Sequence, residues 1–511
     1  MDDRENVNGR DDGPEGRVGE GAAPAPGAMG RRDAVRLGAA GLGAAAVAGA
    51  AGCAGPGAGA AGGAGQSPAG AAGSGNSGAI RDADPGAALA AVPAGVAEAA
   101  PEALLAAPPI DEVRIGFVGV GGMGSMHVEN LLRIEGCRIA AVCDIVPEKV
   151  TRIQDRVVEA GFPRPARYDR GERDFERMCA EEDLDLVFNA TPWEWHVPIC
   201  VAAMENGKHA ATEVPAAYTL DDCWKLVEYA EEHRRHCVMM ENVNYGRMEM
   251  MVFRMVREGL LGEVLHGEGG YLHDLREIKF SEEGEGLWRR AHSMERNGNL
   301  YPTHGLGPIA NCMDIHRGDR FATLVSMSGP SRGLQAYARD HYPEGHPKRG
   351  ETYVLGDVNV SLIQTANGRT IYLSHDTNLP RPYSRIHLVQ GTKGIFQGYP
   401  DRVYVEGRSE PHRWDEASEW LDECDHPLWQ QMEERSRGAG HGGMDFMEDY
   451  RLIKCLREGL PTDMNVYDAA ALSAVTPLSE WSVANGSRPA EFPDFTRGRW
   501  ETWPQLALVE A

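Results

Sequence analysis

The chain has 511 residues, which leaves room for two or three domains and a large hydrophobic core. It carries 51 basic and 76 acidic residues, a formal net charge of −25, without a long run of Lys and Arg. This balance argues against a nucleic-acid partner and against an anionic membrane surface. The ten cysteines form no Cys-x-x-Cys pair, so we expect buried free thiols and no metal site.

Residues 1–53 carry the features of an export signal. Arg31 and Arg32 precede a weakly apolar segment, residues 37–51, that is too short for a transmembrane helix. This resembles a twin-arginine signal for folded proteins, and Cys53 follows Ala-Ala-Gly as in a lipoprotein cleavage site. We expect an exported protein, either periplasmic or anchored to the membrane by a lipid at Cys53. The alternative is a low-complexity leader with a chance Arg-Arg.

Residues 54–109 are expected to be a flexible Ala/Gly-rich linker, and residues 110–245 a dinucleotide-binding Rossmann domain. A short apolar run leads into a Gly-x-Gly-x-x-Gly motif, and a helical pattern follows it. In this context Gly119 allows a tight turn, Gly121 lets a pyrophosphate approach, and Gly124 lets the helix pack on the strand.

The next predicted strand ends at Asp144, 20 residues beyond the last glycine of the motif. A carboxylate at this position binds the ribose diol and repels a 2′-phosphate. The glycines, the two strands and the acidic residue together predict that the cofactor is NAD rather than NADP.

Three further apolar runs, at residues 184–190, 208–212 and 237–241, are predicted to be strands that alternate with helices. Such alternation predicts a parallel sheet, whose ligands bind at the carboxyl ends of the strands. The residues that follow these strand ends are Trp193, Glu194, Trp195 and His196, then Glu213 and Val214, and then Asn242. We expect them beside the cofactor, although core packing is the alternative for the two tryptophans.

Residues 246–511 are predicted to form an α+β domain that binds the substrate. The pattern changes to longer alternating segments, which indicate a mostly antiparallel sheet. These segments are residues 264–271, 322–327, 358–364, 369–375 and 384–390, with a returning helix at residues 444–458. The predicted fold is therefore an α/β Rossmann domain plus an α+β domain. An exposed sheet face in such a fold commonly pairs with a copy of itself, so a homo-oligomer is a further expectation.

The order of elements resembles the glucose–fructose oxidoreductase/inositol dehydrogenase (Gfo/Idh/MocA) family. Ordinary members carry Glu-Lys-Pro after the fourth strand, and that lysine assists oxidation of a substrate hydroxyl. This chain has Glu213-Val214-Pro215 instead, so the lysine is missing.

Six further blocks together resemble glycoside hydrolase family 109, the NAD-dependent α-N-acetylgalactosaminidases. The blocks are Glu-Asn-Val-Asn-Tyr-Gly-Arg (residues 241–247), Gly-Tyr-Leu-His-Asp-Leu-Arg (270–276), Trp-Arg-Arg-Ala-His-Ser (288–293), Asn-Gly-Asn-Leu-Tyr-Pro-Thr-His-Gly-Leu-Gly-Pro (297–308), Ser-His-Asp-Thr-Asn-Leu-Pro-Arg-Pro-Tyr-Ser (374–384) and Gly-His-Gly-Gly-Met-Asp (440–445).

This resemblance implies two sets of contacts. The NAD contacts that it implies are Gly122, Met123, Asp144, Trp193, Glu194, Trp195, His196, Glu213, Val214 and Asn242. The sugar contacts that it implies are Tyr271, Arg289, Tyr301, Pro302, Thr303, His304 and Tyr383. Met123 is a departure, because many relatives carry Arg there and the change removes a phosphate contact.

The family mechanism is a redox-assisted elimination on a glycan that ends in N-acetylhexosamine, with α-linked N-acetylgalactosamine expected here. NAD takes a hydride from carbon 3, the new carbonyl acidifies the proton on carbon 2, and the glycosidic oxygen leaves carbon 1. Water then adds and the hydride returns. Unlike direct displacement, this route needs no pair of carboxylates around the glycosidic bond.

Side-chain chemistry suggests individual roles. His304 is the candidate base at the carbon 3 hydroxyl, because imidazole titrates near neutrality. Tyr301, Tyr271 and Tyr245 are candidates for the carbon 2 proton and for steadying the enolate. Arg289 would hold substrate oxygens with its fixed set of donors, and the tyrosine in the Pro-rich loop would close over the sugar. Taken singly, each of these residues could instead be structural.

Two other functions stay open from the sequence. One is an ordinary sugar dehydrogenase with net NAD turnover. The presence of Val214 instead of the family lysine argues against it. The other is a non-catalytic protein that binds a sugar or NAD.

Overall fold

The structure, a computed structural model, describes residues 106–506. The leader predicted at residues 1–53 and nearly all of the linker predicted at residues 54–109 lie outside this range. Within it the chain forms two sheets, and one cluster of buried apolar side chains spans both. No helix between residues 106 and 506 is long and apolar enough to cross a membrane.

The first sheet has six strands, and every neighbouring pair in it is parallel. Its strands are β1 (Val113–Val118), β2 (Cys137–Cys143), β3 (Ala166–Tyr168), β4 (Leu186–Asn189), β5 (His209–Thr212) and β6 (Cys237–Met239). The spatial order is β3-β2-β1-β4-β5-β6, so the direction of progression reverses between β1 and β4. In sheets of this kind the ligand lies beyond the carboxyl ends of the strands at that reversal.

Helices alternate with these strands, as a parallel sheet requires. They are α1 (Gly122–Leu131), α2 (Pro147–Glu159), α3 (Asp174–Glu181), α4 (His196–Glu205) and α5 (Leu220–His233). The strands are short and largely buried apolar runs, which is expected for a sheet that helices cover on both faces.

The second sheet has nine strands in the order β14-β13-β12-β11-β7-β10-β9-β8-β15. They are β7 (Val264–Leu272), β8 (Phe321–Ser328), β9 (Asn359–Thr365), β10 (Thr370–Asp376), β11 (Leu388–Gly391), β12 (Gly394–Gln397), β13 (Arg402–Val405), β14 (Asp415–Glu416) and β15 (Ala490–Glu491). Only β7 and β10 pair in parallel, and the other pairs are antiparallel. The carboxyl ends of β7 and β10 therefore lie side by side.

The helices of this half are α6 (Arg247–Arg257), α7 (Arg276–Phe280), α8 (Arg289–Glu295), α9 (Thr303–Cys312), α10 (Gly333–His341), α11 (Leu421–Cys424), α12 (Pro427–Ser436), α13 (Met444–Glu458) and α14 (Val466–Ala484). Helix α13 returns to the first sheet, where it packs against α1. Helix α14 packs against both α5 and β8. These two helices join the halves and bring residues of both to one place.

Glycines let helix α9 approach strand β7 closely. A Cβ on Gly269 would lie 2.0 Å from the carbonyl oxygen of Gly305, and one on Gly305 would lie 2.3 Å from the amide nitrogen of Gly270. Neither atom can move without moving backbone, so only glycine fits at Gly269 and Gly305. This approach fixes the start of α9, which carries His304, against the end of β7.

The predicted fold class is confirmed by the parallel first sheet and the mostly antiparallel second sheet. The predicted strand at residues 384–390 begins too early, because Ile386 and His387 adopt φ angles of 64° and 48°, and pairing with β12 starts at Leu388. The nine cysteines within the described range are free and buried, as expected, and Cys53 lies outside it.

Candidate active site

The glycine loop between β1 and α1 combines two tight contacts with an open stretch. Gly119 has a φ of 80°, and a Cβ on Gly124 would lie 2.0 Å from its carbonyl oxygen. A Cβ on Gly121 or Gly122 would meet no heavy atom within 4 Å, and Met123 beside them is half-buried. The outer glycines close the turn, while the middle of the loop leaves its backbone accessible to a ligand at the start of α1.

Asp144 is locked at the end of β2. Its Oδ2 accepts a hydrogen bond of 2.9 Å from the amide of Val120, and its Oδ1 accepts one of 2.9 Å from the amide of Val146. The carboxylate is thereby fixed beside the glycine loop, with further lone pairs for the hydroxyls of a ribose.

Trp193 lies where the two halves meet. Its ring centroid is 4.9 Å from that of Trp288 and 6.0 Å from that of Tyr301, both from the second half of the chain. Glu194 is exposed, and Trp195 is half-buried. Trp193 therefore forms one wall shared by the cofactor side and the sugar side, whereas Glu194 points to solvent.

His196 has a structural position inside the first half. Its Nδ1 lies 2.8 Å from the carbonyl oxygen of Pro215, and its Nε2 lies 2.8 Å from that of Thr191. Burial lowers the pKa of this imidazole, whereas the two carbonyl oxygens oppose that shift. The side chain thus ties together the loops that follow β4 and β5.

Glu213 follows β5, next to the buried side chain of Val214. Its Oε1 lies 2.8 Å from Nε2 of His127, and Nδ1 of His127 lies 2.8 Å from Oδ1 of Asp449 on α13. Burial alone would lower the pKa of His127, but Asp449 and Glu213 raise it well above its ordinary value. A buried imidazolium therefore holds the Glu213 carboxylate in place.

Asn242 is oriented in a similar way by α13. Its side-chain amide donates to Oδ1 of Asp445 at 2.6 Å, and Nδ1 of His441 lies 2.7 Å from the other oxygen of Asp445. This leaves the side-chain carbonyl of Asn242 buried without a protein partner. Such an atom is expected where a ligand donates a hydrogen bond.

His304 and Glu241 form a close pair between the halves. Nδ1 of His304 lies 2.6 Å from Oε1 of Glu241, which stands at the end of β6 and is almost fully buried. The contact places a ring proton on Nδ1 and leaves Nε2 on the side away from Glu241. The second carboxylate oxygen, Oε2, is buried without a partner. This is the arrangement of an oriented general base.

Aromatic rings surround His304. The centroid of Tyr301 lies 4.9 Å from it and that of Tyr271 lies 5.5 Å from it, and the two tyrosines are 4.5 Å apart. The Tyr271 hydroxyl lies 3.0 Å from Nδ1 of His273, and the Tyr383 ring is 6.1 Å from that of Tyr271. Four residues from three distant segments therefore meet in one cluster, as the motifs predict.

Arg289 closes this cluster on the side of Trp193. Its guanidinium carbon lies 5.2 Å from the ring centre of Trp193, 5.0 Å from that of Trp288 and 5.3 Å from that of Tyr301. Its Nε lies 2.7 Å from Oε2 of Glu285. The fork of donors is buried among rings, which is a common way to hold a polar, uncharged ligand.

Two comparisons with known proteins identify the family. A profile described as "Glycosyl hydrolase 109, C-terminal domain" matches residues 245–502, and one described as "Oxidoreductase family, NAD-binding Rossmann fold" matches residues 113–241. A glycosyl hydrolase family 109 protein of Solibacter usitatus is 52% identical over 398 residues, which cover 77% of this chain and 90% of that protein. One of Shewanella pealeana is 48% identical over 410 residues, covering 79% and 90%. The chain belongs to glycosyl hydrolase family 109.

Solved structures share the fold of this family 109 member. A levoglucosan dehydrogenase in complex with NADH and L-sorbose superposes with a TM-score of 0.59 at 19% identity, over 75% of this chain and all of that one. A scyllo-inositol dehydrogenase from Lactobacillus casei with NAD(H) and scyllo-inositol gives 0.53 at 14% identity, covering 74% and 99%. These similarities confirm the architecture of both halves.

NAD is the cofactor of this family 109 protein, as its NAD-binding Rossmann domain indicates. The residues fit the molecule: the open loop at Gly121 and Gly122 suits the pyrophosphate, and Asp144 suits an unsubstituted ribose. The unpartnered carbonyl of Asn242 lies further along the same edge of the sheet.

Tyr245 does not join the aromatic cluster. Its hydroxyl donates to Oδ2 of Asp463 at 3.0 Å, and burial raises its pKa well above the ordinary value. The short helix Asn242–Tyr245 turns this side chain toward α13 rather than toward His304. The hypothesis that Tyr245 handles the carbon 2 proton is therefore dropped, whereas Tyr271 and Tyr301 lie in the cluster around His304.

The remaining predicted sugar contacts lie at the start of α9. Pro302 is the residue before the helix, and Thr303 is its first residue. The Thr303 hydroxyl is buried without a protein partner. Sequence reasoning missed Glu241 as the partner of His304. Its position at the end of a predicted strand, directly before the predicted cofactor contact Asn242, was the available signal.

Proposed function

We propose that this family 109 glycoside hydrolase removes a terminal N-acetylhexosamine, in particular α-linked N-acetylgalactosamine. The proposed route is transient oxidation at carbon 3, elimination, addition of water and re-reduction. The observation that carries the proposal is the His304–Glu241 pair, which lies within the Tyr271–Tyr301 cluster and beside Trp193 at the cofactor edge. A base and two phenols thus face a site that both halves line.

NAD, when bound, supplies a reversible acceptor for the hydride on carbon 3. His304 then takes the proton of the carbon 3 hydroxyl on Nε2, and the buried Glu241 carboxylate stabilises the imidazolium that results. Since the pair is already assembled, little reorganisation is needed during the step.

The carbon 2 proton is assigned to a tyrosine of the cluster. Burial raises the pKa of Tyr301 well above its ordinary value, although Arg289 opposes this shift. The Tyr271 hydroxyl has an imidazole partner, since it lies 3.0 Å from Nδ1 of His273. We therefore assign the carbon 2 proton to Tyr271, with Tyr301 as a hydrogen-bond donor to the oxygen at carbon 3.

The competing function is a sugar dehydrogenase with net NAD turnover. Against it, the buried side chain at Val214 has no ionisable group where ordinary dehydrogenases of the superfamily are expected to carry lysine.

One assay separates these functions. Purified protein is incubated with 4-nitrophenyl α-N-acetylgalactosaminide, without added cofactor, while nitrophenol and NADH absorbance are followed together. Release of nitrophenol without net NADH supports the glycosidase. Growth of NADH without nitrophenol supports the dehydrogenase, and silence in both signals over several sugars supports a binding protein.

We also propose that the protein is exported in its folded state and anchored at Cys53. The support is the Arg31-Arg32 pair and the segment after it, all of which lie outside the described residues. Export after folding allows NAD to be loaded inside the cell. Cell fractionation of the wild type against Arg31→Lys/Arg32→Lys tests this, since the double variant should remain in the cytoplasm.

We propose, finally, that the outer face of the second sheet pairs with a second copy of the chain. Met327 on β8 is 64% exposed and Leu362 on β9 is 57% exposed. Leu362 lies in register with Val325 on one side and Tyr372 on the other, so apolar side chains adjoin across three strands. A contiguous patch of this kind is typical of an association surface.

A further inference from the structure

Lys279 is a buried amine next to the candidate sugar site. It lies on α7, the short helix after β7, and its side chain is 2% exposed. Its Nζ donates to Oγ1 of Thr377 and to Oδ1 of Asn378, both at 2.7 Å. These two residues follow β10, whose His375 is the register neighbour of Tyr271 on β7. The amine therefore sits at the shared carboxyl end of β7 and β10.

This amine has no carboxylate partner. Both of its acceptors are neutral oxygens, and within residues 106–506 no ion pair to Lys279 is formed. Asp376 and Asp357 face it, but Asp376 accepts from Arg381 and from two backbone amides, and Asp357 accepts from two others. Both carboxylates raise the pKa of Lys279, but by less than burial and Arg289 lower it.

The other charged or titratable neighbours are Arg289, Arg290 and His292 on α8 and His375 on β10. Arg290 donates to the carbonyl oxygen of Lys279 at 3.1 Å, and its charge is paired with Glu351 at 3.2 Å. Burial lowers the pKa of His292 to about 4 and that of His375 to about 3, so both are neutral near pH 7. The positive charge belongs to Arg289 and Lys279. The one carboxylate paired with Arg289, that of Glu285, is 41% exposed.

Burial and the charge of Arg289 lower the pKa of Lys279 to about 7. An unpaired buried cation destabilises the protein, and a simple hydrogen-bonding link between α7 and β10 would not require one. The same charge becomes favourable if a negative charge forms nearby during a reaction.

We propose that Lys279 is a positioning residue, whose ammonium group, together with Arg289, stabilises the negative charge that develops on the sugar when its carbon 2 proton leaves. The inference rests on the proposed function. In that step the carbon 2–hydrogen bond breaks and the proton passes to the tyrosine base. The electron pair moves toward the carbon 3 carbonyl oxygen and then expels the glycosidic oxygen. Lys279 neither gives nor takes a proton; it acts through the potential that it shares with Arg289.

The test compares three variants and a matched control. Lys279→Met removes the charge at nearly constant shape, Lys279→Arg keeps it, and Thr377→Val removes one hydrogen bond but not the charge. The control is Lys348→Met, because Lys348 is also a buried lysine, and its Nζ donates to the carbonyl oxygen of Phe280, the neighbour of Lys279. For each protein, kcat and KM for the nitrophenyl glycoside are measured from about pH 5 to about pH 9.

We expect Lys279→Met to lower kcat by about 10- to 100-fold, as loss of an electrostatic group does, with KM nearly unchanged. Wild-type kcat should fall as the pH rises through about 7, where the ammonium loses its proton. This fall should be absent in Lys279→Met and displaced to higher pH in Lys279→Arg. Thr377→Val and Lys348→Met should keep the wild-type pH profile.

Three results would overturn the inference. They are an unchanged pH profile in Lys279→Met, a loss confined to KM, and an equal loss of kcat in Thr377→Val, which would indicate a purely structural link. If Lys279→Met does not fold, the pH profile of Lys279→Arg decides, since an unshifted fall contradicts the role. If the wild type releases no nitrophenol, the proposed function fails instead, which is a separate result.

Discussion

At the scale of single residues, the proposed proton transfer depends on the pair of His304 and Glu241. The 2.6 Å contact fixes which ring nitrogen carries the proton, and the aromatic rings of Tyr301 and Tyr271 pack around the imidazole. Both effects hold the imidazole in one orientation before the substrate binds, as a general base requires.

Replacing His304 by Ala should lower kcat by about 10²- to 10⁴-fold, the usual contribution of a general base. NAD should stay bound, because His304 lies on the sugar side of Trp193. Nitrophenol release gives kcat, and the absorbance of cofactor freed by denaturation gives occupancy. His341→Ala, an exposed histidine on α10, is the matched control and should behave like the wild type. Loss of NAD from the His304 variant would show that the residue serves the cofactor.

The two tyrosines Tyr301 and Tyr245 should respond differently to the same substitution. Tyr301→Phe should lower kcat by about 10- to 100-fold, because it removes a donor from the reacting cluster. Tyr245→Phe should instead lower the free energy of unfolding by about 1–3 kcal/mol, because its bond to the buried side of Asp463 is lost. Kinetics and chemical denaturation of both variants check this. A catalytic defect in folded Tyr245→Phe would restore that residue to the site.

Single residues were predictable where a motif carried them and unpredictable where a partner came from far away. The Tyr-Pro-Thr-His block placed Tyr301 and His304 correctly in one cluster. The contact of His127 with Asp449 joins residues 322 positions apart, so no local sequence pattern predicts it. Lys279 was missed for the same reason, since an isolated lysine in a polar segment looks like any surface residue.

At the scale of elements, helix α14 shows what links the two halves. Its first turn is capped by Asn465 and Asp468, and Asp468 is also held by Arg317 at 2.7 Å and by His316 at 3.1 Å. Burial alone would raise the pKa of Asp468, but Arg317 and His316 hold it well below its usual range. A carboxylate of lowered pKa contributes stability above its unfolded-state pKa and loses that contribution as the pH falls.

Asp468→Asn should therefore lower the free energy of unfolding at neutral pH by about 3–5 kcal/mol, because Arg317 is left buried without its partner. The difference from the wild type should shrink as the pH falls below about 4, where the unfolded-state carboxyl is protonated. Urea denaturation of both proteins at pH 7 and at lower pH measures the two values. A difference that grows in acid would contradict the assigned ion pair.

The strands were easier to predict than this helix. Alternating or short apolar runs gave the places of β7 to β10 to within a residue or two at each end. Helix α14 was not predicted, because its sequence is apolar on almost every side and so shows no amphipathic period. The order of strands within the second sheet also depends on long-range pairing that the local pattern does not contain.

On the scale of the whole molecule, the candidate site is built from both halves. Glu241 ends the parallel sheet, His304 starts a helix of the second half, and Asp445 on α13 returns to orient Asn242. The resemblance predicted a set of site residues, and the fold brings Tyr271, Tyr301 and His304 of that set together through α9 and the glycines of β7.

The exposed apolar face of the second sheet is predicted to hold two copies of the chain together. Leu362→Asp should convert a dimer into a monomer with little change in kcat, because the face lies on the opposite side of the sheet from α9. Sedimentation equilibrium of the two proteins measures the masses. Val158→Asp, at an exposed apolar residue of α2, is a control outside the patch. A wild type that is monomeric at all concentrations would rule out the pairing.

The most direct test of the central claim, that carbon 2 is deprotonated on the way to hydrolysis, is to run the reaction in D₂O. The sugar released from the nitrophenyl glycoside should carry deuterium at carbon 2, detected by NMR or mass spectrometry, while no NADH accumulates. Released sugar with only hydrogen at carbon 2 would mean direct displacement at carbon 1 and would contradict the account.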